Sequence, residues 1–274
     1  MNLKIRPLTQ AIGAEIIDFD ARNITSEAAR ALDEAFLKYH VLVLRDQHID
    51  DADLVGFGRC FGEVKKSRLV SKLSGRDDVM VISNIREDGK PLGQLPDGEM
   101  WFHIDQIYQP LPCKAAALHA VELPATGGDT LFSNNVRAYE TLPEATRDKI
   151  EDLMATHSFQ YGETVGNAPR DENRPHHTHP LVRRIPETGR RSLSVCRLMT
   201  DRIEGLGDGE SRALIDTLCD HIEQPLNVYI HTWRVGDILI WDNRCTSHAR
   251  TDFSETERRL LKRVTIADTI APQH

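Results

Sequence analysis

Trp101-Phe102-His103-Ile104-Asp105 sets an imidazole and a carboxylate two residues apart. On a strand, residues i and i+2 face the same side, so His103 and Asp105 would reach one point. A single His-x-Asp pair is weak evidence, because such pairs arise by chance. A third donor, His248, follows Trp241-Asp242-Asn243-Arg244, where a strand over 238–241 should lead into a turn that presents it. Two histidines and one carboxylate on one face of an octahedron leave three positions open, the facial arrangement of non-haem Fe(II) oxygenases. A 2-oxo acid that chelates through two oxygens, together with O2, would fill them. A structural zinc site would instead close its coordination with four protein ligands.

A 2-oxo acid with a distal carboxylate also needs a cation. Arg259 and Arg263 lie in Arg258-Arg259-Leu260-Leu261-Lys262-Arg263-Val264. On a strand Arg259, Leu261 and Arg263 share a face, so both guanidinium groups could point into the interior, and a planar guanidinium suits bidentate carboxylate recognition. The plainer reading is a basic edge strand that discourages aggregation. Four residues separate the two side chains by roughly 13 Å at their origin, so one carboxylate is not expected to satisfy both. Arg263 then calls for a second anion, from the substrate or from an internal acid such as Glu99 or Asp242, since a buried unpaired charge is costly.

These residues need a scaffold. Short strands are expected over 3–6, 14–19, 41–44, 79–82, 115–123, 130–133, 181–185, 192–195, 226–233, 237–241 and 259–266. Helices are expected after a Ser26 cap, after a cap at Asp50 or Asp51, over 143–155 and over 208–221. Many short strands with a few flanking helices suggest a mostly β double-sheet jelly roll of the cupin-like kind. No linker divides the 274 residues, so one domain, 1–274, is expected. The polar, aperiodic stretch 161–180 reads as a long lid loop.

In this order the pieces resemble the TauD/TfdA family of Fe(II)/2-oxoglutarate-dependent dioxygenases. The resemblance rests on His103-x-Asp105, on Leu123-Pro124-Ala125-Thr126-Gly127-Gly128-Asp129-Thr130, on Trp241-Asp242-Asn243-Arg244 leading to His248, and on the arginine-rich strand. It implies a double-stranded β-helix core, with His103, Asp105 and His248 as iron ligands and catalytic centre. It implies Fe(2+) as cofactor, and 2-oxoglutarate and O2 as cosubstrates. Thr130 and Arg259 match the positions that hold the distal carboxylate of 2-oxoglutarate. Arg263 matches a position that meets the substrate's anionic group or lies beside the iron-bound carboxylate. Taurine-oxidising members carry a His after the Phe-Gly pair and an Asn four residues before the first iron ligand. Here those substrate positions hold Ser67 and Glu99, which puts taurine in doubt; Trp101 is a further candidate for the substrate wall. The expected reaction is hydroxylation of a small organic anion (a carboxylate, sulfonate or sulfate) with release of succinate and CO2. The rivals are a 2-oxoglutarate-binding sensor without turnover and a cupin-like zinc hydrolase or isomerase.

Composition agrees with this and narrows little. The formal charge of −8, with 40% apolar and 28% charged residues, is that of an ordinary globular chain and gives no reason to expect nucleic acid. No apolar run approaches the roughly 18 residues of a membrane span, and the N-terminus lacks a secretory signal. Five scattered cysteines form no C-x-x-C pair, which fits a reducing, cytoplasmic setting. A homo-oligomer is compatible with the sequence, which does not specify one. Lys65, Lys66 and Arg68 read as a solvated loop, His119 and His231 as packed histidines, and Asp129 as a turn residue. His176, His177 and His179 form a cluster with nothing to orient them on a metal, and fit a lid better. Tyr108 is a weaker pocket candidate.

Overall fold

The computed structural model describes residues 2–67, 70–94, 98–159 and 173–274. Its centre is a seven-stranded sheet in the order Lys4–Pro7, Ala14–Ile17, Val41–Leu44, Ile238–Asp242, Ala115–Glu122, Leu260–Ile266, Met80–Ser83. All neighbours are antiparallel except Ala14–Ile17 with Val41–Leu44. A four-stranded antiparallel sheet, ordered Val228–His231, Thr130–Asn134, Thr246–Arg250, Met100–His103, packs against it. This is the jelly roll that the strand pattern suggests.

The seven-stranded sheet is covered on both faces, which is why its strands read as unbroken apolar runs such as Val-Leu-Val-Leu. Leu42, Leu44, Ile238 and Ile240 face two helices, Ser26–Tyr39 and Asp51–Gly58, and bury Leu32, Phe36, Leu54 and Phe57. The alternate residues Val41, Val43, Leu239 and Trp241 face the four-stranded sheet, where Phe132, Tyr229 and Trp233 complete the layer. A third core joins the helices Asn135–Thr141, Glu144–Ile150 and Asp208–Ile222 to the small sheets Met154–Ser158/His176–Pro180/Thr200–Ile203 and Val182–Arg184/Arg191–Leu193.

Several local expectations change. Thr25, not Ser26, caps the first helix, its hydroxyl accepting from Ala28 N at 3.2 Å. Asp50 caps the second through a reciprocal capping box with Asp53. The helix expected over 143–155 ends at Ile150, because Met154–Ser158 pairs with strands on both sides. That sheet also claims His176–Pro180, the end of the stretch read as a loop; residues 160–172 lie outside the described residues. The helix Asn135–Thr141 was not foreseen, although Asn134 caps it by accepting from Arg137 N at 2.9 Å. All five cysteines are free thiols, and all but Cys60 are buried. Among the described residues no helix is long and apolar enough to cross a membrane.

Candidate active site

His103, Asp105 and His248 converge at the centre of the jelly roll, with one donor atom of each lying within 4.8 Å of the others. His248 sits inside the strand Thr246–Arg250 rather than on a turn, directly across from His103 in register. Their rings are 4.0 Å apart between centroids. Asp105 lies two residues past the end of its strand, so strand alternation does not place it. Asn243 does: its side-chain oxygen accepts from Asp105 N at 2.8 Å, and its Nδ2 donates to the carbonyls of Asp105 and Cys113. Gln106, at φ 56°, then takes the left-handed conformation that turns the chain away.

The residues of Trp241-Asp242-Asn243-Arg244 thus have separate tasks. Trp241 packs on the His248 ring at 4.7 Å. Asp242 and Arg244 form a buried two-point ion pair that Glu187 extends. Asp242 also stands with His40 and Cys245 in the one other described group of potential metal donors, but its two oxygens are already taken up by Arg244.

The electrostatics suit a divalent cation. Burial, with smaller contributions from neighbouring charges, lowers the pKa of both His103 and His248, keeping them neutral as metal ligation requires. The His103 Nδ1–H donates to Trp101 O at 3.0 Å, which fixes the tautomer and turns Nε2 towards Asp105. Burial opposes ionisation of Asp105, yet Arg263 and the two histidines outweigh it and hold the carboxyl below its usual range. Arg263 spans both oxygens, at 3.3 and 2.7 Å, and lies over the Trp241 ring. The internal acid that pairs with Arg263 is therefore Asp105, not Glu99 or Asp242, and the argument that Arg263 must find an unclaimed anion falls.

Arg259 behaves differently. It is buried, its Nη2 donates to Gly128 O at 3.3 Å, its Nε has no partner, and no carboxylate among the described residues pairs with it. Burial first, and Arg250 second, pull its pKa down to about 9. The cavity in front of it is lined by Thr130, His103, His248, Arg250 and Arg263. Thr130 Oγ1 accepts from Trp233 Nε1–H at 3.0 Å, which leaves the hydroxyl proton to donate elsewhere. Gly128 has φ 67°, and a Cβ there would stand 3.0 Å from Arg259 Nε. The Gly-Gly turn therefore makes room for the guanidinium. A buried cation, a positioned hydroxyl and three metal donors around one cavity fit a chelating 2-oxo acid with a distal carboxylate.

Arg263 also forms part of a larger cavity of about 650 Å³, whose wall includes Ser67, Lys65, Met80, Gln106, Tyr108 and His176. Of the expected substrate residues, Ser67 lies on this wall. Trp101 and Glu99 do not: they line a separate cavity of about 280 Å³ with Phe102, Arg197 and Glu223. The reason is a bulge. Opposite His248 and Arg250 stand His103 and Met100, so one strand advances three residues while the other advances two. Met100 and His103 consequently face the site, and Trp101 and Phe102 face the other way. Lys65, set aside as a solvated loop residue, donates to Gln106 Oε1 at 2.9 Å beside the large cavity. His231 and His119 are packed histidines, hydrogen-bonded to Tyr229 and Asp237 and to Gln47 O respectively.

The family model for the taurine catabolism dioxygenase TauD, TfdA family matches residues 4–265. The chain belongs to the TauD/TfdA family. Curated relatives include pentalenolactone F synthase of Streptomyces arenae, 34% identical over 82% of each chain. Another is the (S)-phenoxypropionate/alpha-ketoglutarate-dioxygenase of Sphingobium herbicidovorans, 32% identical over 94% of this chain and 92% of that protein. The structure of AAD-2 in complex with Mn(II) and N-oxalylglycine superposes with a TM-score of 0.85 at 28% identity, covering 100% of both chains. As a TauD/TfdA-family protein the chain is an oxidoreductase, an Fe(II)- and 2-oxoglutarate-dependent dioxygenase with a jelly-roll fold.

Proposed function

We propose that His103, Asp105 and His248 hold Fe(II), that Thr130 and Arg259 hold the distal carboxylate of 2-oxoglutarate, and that the 650 Å³ cavity receives a small organic anion for hydroxylation. Arg259 carries this reading: a buried guanidinium with no carboxylate partner among the described residues, on the cavity that His103 and His248 also line. A zinc hydrolase leaves Thr130 and Arg259 without a task, and a non-catalytic 2-oxoglutarate sensor leaves the metal position kept open for O2 without one.

Bound iron would supply O2 activation coupled to oxidative decarboxylation of 2-oxoglutarate to succinate and CO2. The chain's own contribution is geometric and electrostatic. Asn243 and Arg263 fix Asp105 from its backbone and its carboxylate. Trp101 O fixes the His103 tautomer, and Trp233 aims the Thr130 hydroxyl. The substrate cavity shares Arg263 with the cosubstrate pocket, so a molecule seated there lies beside the metal donors. Lys65 on its wall favours an anion, and Met80, Tyr108 and Pro110 favour an apolar body. Likeness to a phenoxypropionate dioxygenase supports a carboxylate in that role.

Anaerobic addition of Fe(II) and 2-oxoglutarate is expected to give a visible charge-transfer band, absent with zinc. A panel of carboxylates, sulfonates and alkyl sulfates scored by succinate release then identifies the substrate. Absence of both the band and succinate release across the panel defeats the reading.

A further inference from the structure

We infer that Arg250 is a second cation for the distal carboxylate of 2-oxoglutarate, acting with Arg259 and Thr130 to restrict the cosubstrate to dicarboxylic 2-oxo acids. The inference rests on the proposed reading of the pocket and adds to it a residue that the sequence motifs do not single out.

Three independent placements converge on Arg250. It lies two residues after His248 in a regular strand, so both side chains point into the jelly roll. In register it stands directly opposite Thr130 on the neighbouring strand, and directly opposed residues on one face lie within side-chain reach. Its guanidinium carbon is 5.5 Å from the centre of the Phe253 ring, and that of Arg259 is also 5.5 Å from the same centre. Arg250 therefore stands across from Thr130 on the neighbouring strand, shares the Phe253 ring with Arg259, and lines the same cavity.

Arg259 needs an occupant, since no carboxylate among the described residues pairs with it. Arg250 and Arg259 are both buried, and each raises the electrostatic energy of the other. Phe253 offers both a weak cation–π contact, which does not offset two like charges in a low-dielectric interior. A carboxylate entering between Thr130 and Arg259 offsets the Arg259 charge and, on this inference, meets Arg250 as well. Arg250 is already anchored, because its Nε and Nη2 donate to Gly98 O at 3.0 and 2.7 Å. Its orientation is fixed before the ligand arrives, which lowers the entropy that binding would cost.

The competing account makes Arg250 only a strut that ties Gly98 to the sheet. The two differ in which ligand feels the loss. Anaerobic Fe(II) enzyme is titrated with 2-oxoglutarate and with 2-oxovalerate, which has the same chain length and no distal carboxylate, and binding is followed by the visible band. Arg250→Met should weaken 2-oxoglutarate by roughly tenfold or more, as loss of a charge-assisted hydrogen bond does, and leave 2-oxovalerate within about twofold. Arg250→Lys should recover part of the loss. Unchanged 2-oxoglutarate affinity, or equal weakening of both acids, overturns the inference and leaves the strut. Should the Met variant not fold, Arg250→Gln keeps a donor for Gly98 O without the charge and supports the same comparison. Arg259→Met separates this from the underlying reading. If it weakens 2-oxoglutarate while Arg250→Met does not, only the role of Arg250 falls; if neither does, the distal carboxylate lies elsewhere and both readings fall.

Discussion

The two chambers that meet at Arg263 are built in opposite ways. The proposed cosubstrate side is walled mostly by strands: Thr130, His248 and Arg250 sit in register on one sheet, Arg263 enters from the strand opposite, and Arg259 from the residue just before that strand. The substrate side is walled mostly by segments between strands, carrying Ser67, Gln106, Tyr108 and Pro175. Strands hold donors to a fraction of an ångström, whereas connecting segments accept substitution and insertion. On the proposed reading, one side fixes a reaction and the other is free to change what is oxidised.

Asp105→Ala tests the rigid side most severely. It removes a metal donor and strands Arg263, so succinate release should fall below detection and bound metal should be lost. Leaving one partner of a buried ion pair costs about 3–5 kcal/mol, so chemical denaturation should show reduced stability as well. Near wild-type turnover would sink the assignment of the metal donors. Next in size is Arg259→Ala, where loss of a partly buried charged partner costs about 2–5 kcal/mol. The affinity for 2-oxoglutarate, read by titration of the visible band, should drop more than tenfold.

The opposite chamber should respond differently. Lys65→Met is expected to raise KM for an anionic substrate several-fold, as a half-exposed cation would, and to leave 2-oxoglutarate affinity unchanged. A matching loss of cosubstrate affinity would dissolve the distinction between the chambers. The smallest effect concerns acid. Behind the substrate chamber, the His177 and His179 rings are 4.7 Å apart and those of His157 and His179 6.0 Å apart. Burial, with smaller lowering from His179 and His177, pulls His157 to about 3, and burial, with smaller lowering from His177 and Arg183, pulls His179 to about 4. The unfolded chain takes up these protons first as pH falls below about 6.5. The stabilisation is thus complete above that pH and shrinks towards pH 4 and 3. Tm should decline across this window, with a shallower slope in His157→Asn; an unchanged slope would remove the cluster from the acid response.

What could be read in the chain divides along the same line. His103, His248 and Arg259 are reached from type and spacing taken together, Thr130 through the family resemblance, and the jelly roll from apolar strand runs. Asp105 was identified for a reason that does not hold: the pleat ends at His103, and Asn243 places the carboxylate by a long-range contact no spacing reveals. Trp101 and Glu99 line the other cavity because a bulge shifts the alternation assumed for that strand. Lys65 was passed over because a short basic run looks the same on a solvated loop and on a cavity wall. For the inferred role of Arg250 the sequence holds a signal of its own, its place two residues beyond His248 on one strand.

The clamp of Arg263 and Asn243 on Asp105 has a cost in selectivity. It leaves two neutral imidazoles and one carboxylate arranged before any ion arrives, a donor set that many divalent ions accept. Affinity for such nitrogen and oxygen donors rises from manganese through iron to cobalt, nickel and copper, with zinc also above iron. A ready-made pocket cannot refuse the stronger binders by demanding rearrangement, so the ion it carries is decided by what the cell supplies. Displacement of iron by zinc, rather than unfolding, is then the readiest way to silence this protein.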